Sequence, residues 1–154
     1  MHAFVDWLAA TSLSLFIQNV LWIVPLVQIV HFIAVAIVLS SVLMIGLRRA
    51  GYAGAWQPVE DTLARFVPWI WWSLLLLVAT GALLIIGEPA RTLGNPSFWV
   101  KMALLAIVLV ALARVSPGTV SRPAARGLVA LNFLLWCGVA VAGRWIAYTK
   151  SPLQ

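Results

Sequence analysis

The sequence predicts an all-α, integral-membrane four-helix bundle with a short N-terminal interfacial helix. Three observations predict it. Between Asp6 and Arg48, forty-one consecutive residues carry no charge, about twice the ~20 apolar residues that one bilayer-crossing helix needs. Hydrophobic residues make up 64% of the 154-residue chain and charged residues 9%, against ~25% charged in soluble domains. The ten Lys and Arg stand mostly at the ends of apolar segments, as they do around membrane spans. The pI of about 10.8 therefore does not indicate nucleic acid. A chain of this length is expected to form a single membrane domain over residues 1–154.

Taken in order, residues 4–17 are expected to lie at the interface as one helix anchored by Trp7. Gln18 and Asn19 interrupt the apolar run, and Pro25 suits a helix's first turn, where its missing N–H leaves no bond unmade. The first span is read as about 25–47. A polar stretch from Arg48 to Arg65 follows, and the second span is read as about 68–87. Trp69, Trp71 and Trp72 crowd its start, the headgroup level where such rings concentrate. Glu88, Pro89, Gly94 and Pro96 mark a turn, and the third span is read as about 97–115. Ser116-Pro117-Gly118 is the next turn, before a fourth span at about 127–148. Proline is expected between spans and not inside them.

Orientation follows from the basic residues. Arg48, Arg49, Arg65, Arg114, Arg122 and Arg126 lie on one side, and Arg91, Lys101, Arg144 and Lys150 on the other. The richer side is cytoplasmic. Both termini are thus expected in the periplasm, with the protein in a bacterial inner membrane. Met1 and His2 offer no basic start and Asp6 interrupts it, so no cleavable signal is expected. Cys137 lies in an apolar segment and is expected to be a buried structural thiol.

Polar residues inside spans are costly and are candidate functional groups. His31 lies six residues into the first span, ~9 Å deep at 1.5 Å per residue. Lys101 and Arg144 each lie about four residues inside the same face, which places all three in one layer. Gln28 shares the face of His31 three residues away, and Met102 adjoins Lys101. One chemistry for this layer is a haem b. His31 would supply an axial nitrogen, and Lys101 and Arg144 would pair with propionates. Met102, His2 or the His31 of a second copy would complete the coordination. The same layer also fits a transition-metal or other small-ligand site. It equally fits a structural or proton-handling His31 bonded to Gln28, Ser40, Thr80 or Asn132, with Lys101 and Arg144 reaching to the headgroups. Copper handling would have His31, Met102 and Met44, few soft ligands for that metal.

Other functions find no support. Asp6, Glu60 and Asp61 are placed at the surface, so no Ser/His/Asp triad can assemble. There is no Cys pair, HExxH, GxGxxG or Walker loop. The spans carry no carboxylates and show no inverted repeat, which argues against a proton-coupled transporter.

Three stretches carry a resemblance. They are Val24-Pro25-Leu26-Val27-Gln28-Ile29-Val30-His31-Phe32, Asn95-Pro96-Ser97-Phe98-Trp99-Val100-Lys101 and Gly143-Arg144-Trp145-Ile146-Ala147-Tyr148. With Leu47-Arg48-Arg49, the chain resembles small bacterial four-helix membrane proteins of unknown function. More distantly, the first-span histidine and the Phe-x-x-Lys start of the third span resemble CopD-like copper-resistance membrane domains and small di-haem cytochrome b subunits. Those carry more histidines than this chain. The first resemblance implies architecture only, and the second strengthens the haem or metal reading of His31. The function expected from the layer and this resemblance together is a small cytochrome-b-like protein passing electrons to a quinone or periplasmic partner. The alternative is a membrane subunit or scaffold without a cofactor.

Overall fold

The computed structural model describes residues 2–52, 56–114 and 122–145. It gives side chains for all of these except 2, 109–114, 122–126, 128, 144 and 145. Among the described residues the chain is all-helical. Its helices are α1 (His2–Ala9), α2 (Ser12–Asn19), α3 (Ile23–Arg49), α4 (Val59–Gly87), α5 (Pro89–Leu93), α6 (Pro96–Arg114) and α7 (Arg122–Trp145). Of these, α3 and α4 are long and apolar enough to cross a membrane. The described apolar parts of α6 and α7, Pro96–Val108 and Val129–Gly143, are shorter.

Two expectations change. The N-terminal segment is two short helices and not one. The Thr11 side chain accepts from the Ser14 backbone N–H at 3.3 Å and caps the start of α2, which gives the chain a reason to restart its helix there. The second long helix begins at Val59, nine residues before the expected Pro68, and carries that proline in its interior. Glu60 and Asp61 in its first turn oppose the helix dipole and favour the early start. Pro25, by contrast, lies in the first turn of α3, and Pro89 and Pro96 open α5 and α6.

Helix α3 is the hub. It packs along α4 on one side and α7 on the other, and α7 packs on α6. Among the described residues α4 and α6 do not pack on each other, so that side of the bundle is the loosest. Val38, Val108 and Trp136, from α3, α6 and α7, form the centre, with Leu74 and Leu77 of α4 packed against it. At the α3–α4 turn, the Arg48 guanidinium donates to the Gln57 carbonyl. The opposite end, where α5 lies, is capped by α1 and α2. The Ser14 hydroxyl donates to the Ile86 carbonyl at 2.6 Å and fixes α2 on the end of α4.

Outside this narrow core the helices present apolar side chains. Ile29, Phe32 and Ile33 on α3, Leu75 and Val78 on α4, and Leu131, Leu134 and Val141 on α7 are all exposed. The Trp69, Trp71 and Trp72 rings also stand outward.

A candidate site where four helices meet

His31 sits on α3 where it faces α4. Its Nδ1 lies 2.8 Å from the Thr80 hydroxyl. That hydroxyl in turn donates to the Leu76 carbonyl one turn back on α4, at 2.6 Å, a bond that helical threonines readily make. A hydroxyl has one hydrogen. With that hydrogen committed to Leu76, Thr80 can only accept from His31. The hydrogen-bond pattern thus assigns the proton of the neutral ring to Nδ1 and leaves a lone pair on Nε2.

Nε2 points toward α6, where Lys101 Nζ stands 3.5 Å away, at the long end of hydrogen-bond distance. The lysine's stem lies against α7 beside Gly143. A Cβ there would lie 3.5 Å from Nζ and 3.6 Å from Cδ and Cε. The layer therefore runs Leu76, Thr80, His31, Lys101, Gly143, and it ties α3, α4, α6 and α7 together. Among the described residues Lys101 meets no carboxylate, since the ion pair is Arg91 with Glu88.

The remaining expected residues fall as follows. Arg144 follows Gly143 on α7. Gly46 of α3 faces Val129 of α7. Fifteen residues back along α3 reach His31, and fifteen forward along the antiparallel α7 reach Arg144. The backbone thus holds Arg144 at the level of His31, while its side chain, like that of His2, lies outside the described residues. Met102 is 42% exposed, on the face of α6 turned away from the one that sends Lys101 inward, so the structure does not bring it to His31. Gln28 lies one turn from His31 and makes no bond to it, because both ring nitrogens face other groups. Instead it lines an open cleft at the α5 end. Of the four bonding partners considered for His31, the structure selects Thr80.

The donor set for a metal is correspondingly small. No three His, Cys, Asp or Glu side chains converge among the described residues, and Cys137 is half-buried elsewhere on α7. His31 offers one nitrogen with a defined lone pair, and Lys101 offers a cation next to it. Iron on Nε2 would take the place that Lys101 now fills. No family model, no curated protein and no solved structure matches this chain.

Proposed function

We propose that the protein is a four-span membrane protein carrying one b-type haem on His31, near the periplasmic face, as a small electron carrier. Support for four spans is geometric. At 1.5 Å per residue, the 19 residues of α6 and 24 of α7 extend ~28 and ~36 Å, close to the ~30 Å hydrocarbon thickness. Their apolar side chains, with those of α3 and α4, stand outward, as lipid contact requires.

The observation that carries the haem reading is the Thr80–His31 bond. Ligating histidines characteristically donate their other ring N–H to a fixed acceptor, which sets the tautomer. Thr80 does this for Nδ1 and leaves Nε2 as the electron-pair donor. A haem held there supplies one-electron chemistry. The chain's own residues bind and orient it. His31 would ligate, Thr80 would hold the ring, and Lys101, displaced from Nε2, would with Arg144 neutralise the propionates.

A second reading has its own observation. The contact between Lys101 Nζ and Nε2 makes the layer a polar clasp between helices, and the protein a cofactor-free membrane subunit. A reduced-minus-oxidised spectrum of protein purified after expression with ample haem separates the two. The haem reading expects a Soret band in the wild type, lost in His31→Ala while the variant still inserts. A colourless wild type rejects the haem and leaves the clasp.

A further inference from the structure

At the α5 end, α2, the start of α3 and the α4–α5 corner enclose an open cleft of about 360 Å³, within the size range of small-molecule sites. Ile17, Val24 and Pro25 give it apolar walls, and Gln18, Gln28, Glu88 and Arg91 give it polar groups. Two features define what it can hold. First, its charges cancel internally. Arg91 Nη1 donates to both Glu88 oxygens at 2.8 Å, so neither a bare anion nor a bare cation finds an unopposed partner. Second, a carboxamide in it is uncommitted. Gln18 donates to the Ser14 hydroxyl, whereas half-buried Gln28 makes no hydrogen bond within the described residues.

We infer that this cleft binds a carbonyl-bearing amphiphile of zero net charge, whose carbonyl oxygen accepts from the Gln28 carboxamide while its apolar body lies against Val24 and Pro25. A carboxamide N–H is a donor matched to a carbonyl oxygen, and on the four-span reading a cleft at this end of the helices lies where lipid chains meet headgroups. The chemistry is shared by a quinone ring and by the ester carbonyls of a phospholipid. The inference rests on the membrane reading alone and needs no haem. Gln28 lies one turn from His31 on the same helix face, so a quinone bound here would sit beside the layer.

The test uses the full-length protein in detergent micelles. Decylubiquinone is titrated in one arm and dihexanoylphosphatidylcholine in the other, followed by tryptophan fluorescence or equilibrium dialysis. Saturable binding near one per chain is expected. It should weaken about fivefold or more in Gln28→Leu and Gln28→Glu, the scale of one lost hydrogen bond. Leu75→Ala, at an exposed position of α4, should leave it unchanged. Circular dichroism confirms that each variant keeps its helices. Gln28-dependent binding of decylubiquinone identifies a quinone site, and Gln28-dependent binding of the phospholipid alone identifies a lipid-carbonyl site. No saturable binding in either arm, or equal affinity in the Gln28 variants, overturns the inference. The absorbance spectrum of the same sample reports on the haem separately, so either proposal can fail without the other.

Discussion

Gly46 of α3 and Val129 of α7 touch where no side chain fits between them: a Cβ on Gly46 would lie 2.8 Å from Val129 Cγ2 and 3.1 Å from Cγ1. Small residues let helix backbones approach in this way, and in a bilayer such packing is a main source of helix association. Valine in a helix has essentially one χ1 state, so Val129 cannot turn aside. The contact also sets the α3–α7 register that brings residue 144 level with His31. The first prediction follows. Gly46→Ala and Val129→Ala should be coupled by about 1 kcal/mol or more in a double-mutant cycle, with the pair together less damaging than the sum. Unfolding of the detergent-solubilised protein measures it, and additive effects would reject the contact.

A second close approach fastens the N-terminal cap. A Cβ on Gly87 would lie 2.7 Å from Ile17 Cγ2, and Ile17 is itself buried. Gly87→Val should force α2 off the end of α4 at a cost of about 1–3 kcal/mol, the usual scale of overpacking. Hydrogen exchange should quicken in residues 12–19 and stay unchanged in the centre of α3. Adding Ile17→Ala should restore part of the protection. Unaltered exchange in α2 would show that the cap is held by other contacts.

The third prediction concerns the imidazole. Thr80→Val keeps the shape of the side chain and removes the acceptor for Nδ1. Nitrogen NMR of histidine-labelled protein should then change from an Nδ1–H ring to a mixture of tautomers. The stability loss should be modest, on the order of 0.6–1.7 kcal/mol for one interhelical bond in a membrane. An unchanged tautomer would mean that Lys101 and not Thr80 orders the ring.

Arg144 distinguishes a ligand contact from an anchor. Arg presents a planar fork suited to a carboxylate, and Lys a point charge. If it pairs with a propionate, Arg144→Lys should reduce haem occupancy and Arg144→Gln should reduce it further. If it only reaches to the headgroups, Arg144→Lys should be neutral, because either stem spans that distance. Occupancy and midpoint potential across the three residues read the difference, and equal values assign Arg144 to anchoring.

Topology is testable without any cofactor. Both termini are expected on the periplasmic side and the turn after α3 in the cytoplasm, because Arg48, Arg49 and Arg65 resist translocation. A periplasm-active reporter after Gln154 and a cytoplasm-active one within 51–54 should both be functional. Activity of either reporter only on the opposite side would invert the bundle and place the His31 layer toward the cytoplasm.

How much of this was legible in the sequence varies by level. Helical character and the long apolar helices α3 and α4 follow from composition, because backbone groups in apolar surroundings must pair within their own segment. That His31 and Lys101 share one level follows from counting along the helices, since helical rise is constant. Helix starts were less legible. The break at Thr11 depends on one side-chain cap, and the early start of α4 depends on two carboxylates outweighing an internal Pro68. Packing decided what counting could not. Four partners were open for His31, and rotation about the helix axes selected Thr80. Lys101 and Met102 are adjacent in sequence, yet one turns inward and the other outward, because successive helical residues point about 100° apart. Counting along the sequence sets segment and level. Facing and partnership arise only when four helices close on one another.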